Sequence, residues 1–161
     1  MKNFTVPDIC DVNEDIQIGN LFLTSYGGLN KFYGQIHTAK CEHSNSIVKE
    51  LINQNGEGKV LFINHTGIEL CSMVGDQIAK KAFDNNWNGI ITNGYIRDIE
   101  VIKNIKIGVY AMNSYPKKTD KSIGIGEKDV QIQIGSVQIN PGDWIYVDTN
   151  GWVISRKELD L

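Results

Sequence analysis

Two short apolar runs, Lys59-Val60-Leu61-Phe62-Ile63-Asn64 and Gly89-Ile90-Ile91-Thr92-Asn93, constrain this chain more than any other feature. Each is continuous rather than alternating and is bounded by turn residues, the pattern of a strand covered on both faces. Between them, apolar residues recur at helical spacing at Ile78, Ala79, Ala82 and Phe83, and Asn85-Asn86-Trp87-Asn88-Gly89 ends that segment. The pattern predicts strand, loop, helix starting near Gly75-Asp76, and returning strand. That order favours parallel pairing and an α/β fold. A short helix or turn over 99–105 and a strand at Gly108-Val109-Tyr110-Ala111-Met112 continue the series.

Upstream, the paired glycines Gly27-Gly28 permit a turn, a strand is expected over 35–41, and Ser46–Ile52 has helical spacing that stops before Asn55-Gly56-Glu57-Gly58. The last third changes character. Val130-Gln131-Ile132-Gln133-Ile134 alternates, and with Gly135-Ser136 and Val137-Gln138-Ile139 it reads as a hairpin. Asn140-Pro141-Gly142-Asp143 and Asn150-Gly151 are turn signals flanking the strand Trp144–Asp148, and a last strand is expected over 152–155. Gly124-Ile125-Gly126-Glu127 is read as a turn and not as a dinucleotide fingerprint, because Asp129 occupies the third glycine position and a strand follows. With no repeat or linker, one domain over residues 1–161 is expected.

Composition excludes several classes of function. A net charge of −3, without a Lys/Arg-dense stretch interleaved with aromatics, disfavours direct nucleic-acid binding. The N-terminus lacks the apolar stretch of a signal peptide and no run approaches the ~18 apolar residues of a membrane span, so a cytoplasmic protein is expected. Cys10, Cys41 and Cys71 lack ligand spacing and read as packed thiols, and His37, His43 and His65 lack the i, i+4 pattern of a histidine metal site. Trp87, Trp144 and Trp152 lie in different elements and read as packing residues rather than a stacking platform.

The candidate site is Asp76 together with Arg97-Asp98. Twenty residues separate Asp76 from Arg97, and the intervening helix and strand can bring the two ends together. Ligands in open α/β folds often sit beyond the carboxyl ends of strands, where Gly75-Asp76-Gln77-Ile78 would present free N–H groups beside Arg97. Arg97 suits a bidentate grip on a carboxylate, and Asp98 a hard ligand to Mg²⁺ or Mn²⁺. The plainer reading makes Asp76 a helix N-cap and Arg97-Asp98 a surface ion pair.

Asp76 and Arg97-Asp98, within Gly75-Asp76-Gln77-Ile78 and Asn93-Gly94-Tyr95-Ile96-Arg97-Asp98, resemble the motif of class II 4-hydroxy-4-methyl-2-oxoglutarate aldolases. The same family contains a non-catalytic relative, the regulator of ribonuclease activity A. Gly34-Gln35-Ile36, Asn55-Gly56-Glu57-Gly58-Lys59-Val60-Leu61, Trp87-Asn88-Gly89 and Pro141-Gly142-Asp143 extend the likeness over nearly the whole chain.

The resemblance implies a compact swivelling-type α/β/β domain with a mixed central sheet, in homotrimers or dimers of trimers. It implies that the backbone of Gly75, Asp76, Gln77 and Ile78 and the side chain of Arg97 bind the pyruvyl group. Asp98 binds the divalent metal, and Asp76 is associated with the metal's water shell. The implied reaction is retro-aldol cleavage of a 4-hydroxy-2-oxo acid to pyruvate, with oxaloacetate decarboxylation as a side activity and no Schiff-base lysine. The rival is a regulator that binds ribonuclease E or its helicase. This chain departs from the family at Asn64-His65-Thr66-Gly67, where a glycine-rich loop is usual. The longer aldolases also carry a C-terminal extension that helps complete a neighbouring subunit's site.

Overall fold

In a computed structural model, the chain is described over residues 3–120, 124 and 126–161. Of the proposed turn at Gly124-Ile125-Gly126-Glu127, Ile125 lies outside the described residues. Gly124 and Gly126 both have left-handed backbones, with φ of 70° and 87°, which glycine adopts without steric cost.

The elements in chain order are α1 (Val6–Val12), β1 (Gln17–Ile18), β2 (Thr24–Ser25), β3 (Phe32–Cys41), α2 (Ser46–Ile52), β4 (Val60–His65) and β5 (Ser72–Val74). They continue as α3 (Asp76–Asp84), β6 (Gly89–Ile96), α4 (Ile99–Ile102), β7 (Gly108–Ser114), β8 (Glu127–Lys128), β9 (Ile132–Ile134), β10 (Val137–Ile139), β11 (Trp144–Asp148) and β12 (Gly151–Ser155). The larger sheet runs β1-β12-β11-β3-β4-β6-β7-β2. Its centre, β3-β4-β6-β7, is parallel as the sequence order predicts, while β11 joins β3 antiparallel. None of the helices among the described residues is long and apolar enough to cross a membrane.

The continuous apolar runs are strands because both sheet faces are covered. Leu61 and Ile63 of β4 face α2 and α3, together with Ile90, Val109 and Ala111 from neighbouring strands. The alternate residues Val60 and Phe62 join Ile91 and Tyr110 on the opposite face, against Ile132, Ile134, Val137 and Ile139 of the β9–β10 hairpin. Helices, mixed sheet and hairpin therefore form the expected α/β/β layers. At the far edge Val6 and Ile9 of α1, with Phe4 just before it, pack against Tyr146 and Val153, and Asp148 Oδ2 accepts the Val6 N–H at 2.8 Å.

The structure corrects some local expectations. Gly27 and Gly28 do not adopt positive φ; they are needed because added Cβ atoms would lie 2.1 Å from Ile107 O and 2.5 Å from Ile105 O. The turn before β11 does use torsional freedom, with Gly142 at φ 90° and Asp143 N–H donating to Asn140 O at 3.1 Å. The glycine run after α2 packs on the end of α3. A Cβ on Gly56 would meet the Trp87 ring at 2.5 Å, and Trp87 Nε1 donates to Gln54 O at 3.1 Å.

Phe32 pins the sheet centre. Gly89 and Gly108 are register partners on β6 and β7, and Cβ atoms there would lie 2.3 Å and 2.1 Å from its ring. The Phe32 ring is 2 % exposed, so it has no open side to move toward. Gly108→Ala should destabilise the fold by about 1–3 kcal/mol, the usual cost of overpacking. Urea unfolding at unchanged m-value would check this, and a stability loss below about 0.5 kcal/mol would contradict the packing account.

Candidate active site

The residues singled out in the sequence are brought together by β5, a strand too short to be recognised from its sequence. β5 lies parallel to β6, pairing Ser72 with Tyr95 and Val74 with Ile96, and Arg97 N–H donates to Val74 O at 3.0 Å. The two chain segments leave the sheet at the same level. One turns at Gly75 into α3, and the other continues into Arg97-Asp98 and α4.

Gly75 is the N-cap of α3, and its extended φ of −127° does not require glycine. A Cβ here would lie 2.8 Å from Asp98 Oδ2 and 3.5 Å from Arg97 Nε, so the Asp98 carboxylate would have to shift to admit a side chain. Asp76 is thus the first residue of the helix rather than its N-cap, and Asp76 Oδ1 accepts the Gln77 N–H at 2.8 Å. The Ile78 N–H lies in the first turn, where no intrahelical acceptor exists. The positive end of the helix dipole adds to the attraction for an anion.

Arg97 Nε lies 3.3 Å from Asp98 Oδ2, so the surface ion pair of the plainer reading is present. It does not use up the guanidinium, however, because neither terminal nitrogen of Arg97 has a partner among the described residues. Asp98 has a left-handed backbone, φ 60° and ψ 34°, and makes no side-chain cap to α4. Ordinary N-cap aspartates are extended and accept from their own helix. Here the carboxylate turns back toward the start of α3, where Asp76 N lies 3.5 Å from Oδ2. Such an uncommon conformation is tolerated best by Asp and Asn among residues with a Cβ.

Gly75, Asp76, Gln77, Ile78 and Arg97 line one cavity of about 160 Å³. Asp98 stands at its edge and borders a recess of about 290 Å³ that also includes Arg97. The first cavity is smaller than the roughly 300–1,000 Å³ typical of drug-sized ligands, and therefore suits a small acid. A more open groove of about 670 Å³ between α3 and α4 also touches Asp76 and Gln77, but it lacks the Arg97 fork. Asn45, Lys49, Ser72, Lys118 and Thr119 complete the cavity wall and were not visible as site residues in the sequence. They come from three distant segments joined only by folding: Asn45 Nδ2 donates to Met73 O at 3.0 Å, and Ser72 N–H to Lys117 O at 2.9 Å.

With this geometry in view, comparison with known proteins is decisive for the family. The family model described as "RraA-like: Aldolase/RraA" matches residues 6–154. The chain belongs to the RraA-like family. A Pseudomonas putida relative named for 4-hydroxy-4-methyl-2-oxoglutarate aldolase is 38% identical, covering 100% of this chain and 99% of its own. A solved structure titled as the RNA-processing inhibitor RraA from "Thermus thermophilis" matches with a TM-score of 0.93 at 26% identity, over 99% of this chain and 96% of that one. Another, titled as a 2-dimethylmenaquinone methyltransferase from Geobacillus kaustophilus, has a TM-score of 0.92 at 32% identity, over 97% of each chain. Shared fold leaves the activity to be argued from the site.

Other reactive side chains in the fold are muted by burial. Cys41 is pushed up to about 12 by desolvation, and Cys71 is also raised, chiefly by burial. These thiols are packed groups rather than nucleophiles. His65 falls in the segment that departs from the family pattern and lies 3.8 Å from Cys71 Sγ through Nε2. Desolvation lowers its pKa below 6.5, only partly opposed by a hydrogen bond that the ring donates to the Glu42 backbone carbonyl. His65 is therefore neutral at pH 7. Because the folded pKa is depressed, its stabilising contribution is complete above pH 6.5 and declines as pH falls from there toward the folded value. An NMR titration should give His65 a midpoint below 6.5; a midpoint above it would contradict burial of the neutral ring.

Proposed function

We propose that this chain is a divalent-metal-dependent pyruvate aldolase. Its reaction is retro-aldol cleavage of a 4-hydroxy-2-oxo acid, such as 4-hydroxy-4-methyl-2-oxoglutarate, with secondary decarboxylation of oxaloacetate. The observation that carries this reading is the Arg97 guanidinium, whose terminal nitrogens have no partner among the described residues, beside the first turn of α3, with Asp76 and Asp98 close by. Names of relatives at 38% identity support the aldolase class.

A divalent cation fits the available donors. Mg²⁺ is commonly held by one or two carboxylates, with water and substrate oxygens completing its shell. The described residues offer no group of three His, Cys, Asp or Glu that would form a closed protein cage. Asp98 would hold Mg²⁺ or Mn²⁺, with Asp76 beside it. Once bound, the cation supplies Lewis-acid polarisation of the substrate's 2-oxo group.

Arg97 grips the C1 carboxylate at two points, while the Ile78 N–H and the α3 dipole favour the same charge. This fixes the 2-oxo acid with its C3–C4 bond over the rim. A water oriented by Asp76 accepts the 4-hydroxyl proton as that bond breaks and its electron pair moves into the enolate of pyruvate. The C4 fragment leaves as a carbonyl compound. Return of a proton to C3 completes pyruvate. In oxaloacetate the same bond breaks with loss of carbon dioxide, and no hydroxyl proton has to be removed.

A second reading is supported by the close structural likeness to the RNA-processing inhibitor: a non-enzymatic regulator that binds ribonuclease E or its helicase. The family's homotrimer, or dimer of trimers, belongs to either reading and is checked by mass in solution; a monomer at assay concentration would contradict it. Exposed Phe22 and Ile68 are apolar surface available for such packing.

Pyruvate release with and without Mg²⁺ separates the two readings. Wild type should release pyruvate from the hydroxy-oxo acid only with metal. Asp76→Ala should lower this cleavage by roughly 10²–10⁴-fold while reducing oxaloacetate decarboxylation less. Equal losses would make Asp76 a positioning group. Arg97→Lys keeps the charge but loses the fork, and should weaken inhibition by oxalate. Absence of both activities in metal-loaded wild type would favour the regulator, which should then form a saturable complex with the ribonuclease.

A further inference from the structure

The segment that departs from the family pattern, Asn64-His65-Thr66-Gly67, lies where the central sheet changes partners. β7 occupies one edge of β6 along its length, so β4 and β5 share the other. β4 pairs with β6 as far as Ile63 and Thr92, and β5 takes over at Ser72 and Tyr95. Between these registers Asn93 bridges the strands with its side chain. Its Oδ1 accepts the His65 N–H at 2.6 Å, and its Nδ2 donates to Asn64 Oδ1 at 2.8 Å and to His65 O at 3.3 Å. The β4–β6 ladder therefore ends on a side chain of the same strand that delivers Arg97.

The His65 ring fills the gap that remains. A Cβ on Gly94 would lie 3.0 Å from its Nδ1, and one on Gly67 would lie 2.9 Å from its Nε2. Nε2 is also 3.8 Å from Sγ of Cys71, the residue directly before β5, and the ring donates to the Glu42 carbonyl just after β3. One imidazole thus connects the end of β3, Gly94 of β6, the 66–71 loop and the entry to β5. The titratable groups around it are Glu42, His43 and Cys71, with Glu69 and Lys117 paired beyond Cys71. Glu42 meets the ring through its carbonyl, and both burial and His43 disfavour a positive charge there. Neutral, the ring stays among these segments; protonated, it is drawn toward water.

We infer that His65 is a positioning residue: its neutral ring locks the change of partner from β4 to β5 that holds Arg97 beside the start of α3, and protonation releases the lock and weakens binding of a small carboxylate at Arg97. This rests on the small-acid site of the aldolase reading. Carboxylate binding and ring protonation then oppose each other, and linkage requires each to weaken the other by the same factor.

The test is an NMR titration of His65 in metal-loaded wild type, without and with saturating oxalate. Oxalate should lower the His65 midpoint by about 0.7 pH unit, equivalent to roughly fivefold coupling, and leave the His37 midpoint in place. The direction is diagnostic, because direct attraction between a bound anion and the imidazolium would raise the midpoint. An unmoved or raised midpoint overturns the lock. Calorimetry adds a second comparison, with His65→Gln, which keeps an N–H donor but does not titrate. As pH falls from about 7.5 through the His65 midpoint, oxalate affinity should drop roughly fivefold more in wild type than in the variant. Equal pH dependence in the two proteins overturns the inference and leaves the aldolase reading intact. If metal-loaded wild type binds no oxalate even at about pH 7.5, the aldolase reading and the lock fall together.

Discussion

The pairing of β5 with β6 is the constraint on which the candidate site depends. Three residues of strand, Ser72–Val74, place the start of α3 beside the end of β6, with Val74 O holding the Arg97 N–H at 3.0 Å. Without that pairing, Asp76 and Arg97 would belong to two loops whose separation was free to vary. With it, a helix N-terminus, a guanidinium and two carboxylates share one rim. Gly75 leaves the Asp98 carboxylate room to lie against the start of α3, since a Cβ there would come within 2.8 Å of its Oδ2.

The sheet beneath is built to hold that level. β6 is covered on both faces, by Ile90 toward the helices and Ile91 toward the hairpin layer. The Phe32 ring against Gly89 and Gly108 fixes β6 and β7 at their other ends. A site on strand ends inherits the rigidity of such a scaffold, while its polar groups remain outside the core. Asp98 carries the one visible backbone concession at this rim, a left-handed conformation that releases its carboxylate from capping α4. Uncommon backbone conformations cluster where function constrains a side chain, and this one points toward α3.

Membership of the RraA-like family leaves both an aldolase and a ribonuclease regulator within reach, because both readings are compatible with one architecture. What separates them physically is whether the rim carries groups able to bind and ionise a small acid. Here the terminal nitrogens of Arg97 have no partner among the described residues, and Arg97 lines a cavity of about 160 Å³. The similarity of overall shape to an RNA-processing inhibitor tests neither property.

The sequence by itself determined the parallel centre, the hairpin layer and the helix over Asp76–Asp84, because continuous, alternating and helical apolar patterns report burial through local periodicity. It also singled out Asp76 and Arg97-Asp98, which stand out by residue type and spacing. It did not reveal α1, whose seven residues bury only Val6 and Ile9, nor β5, which has too few residues for a period to register. Only the tertiary structure brought Asn45, Lys118 and Thr119 to the same cavity as Arg97. Their pairing depends on which strand edges meet, a property of long-range register that no local pattern in the chain encodes.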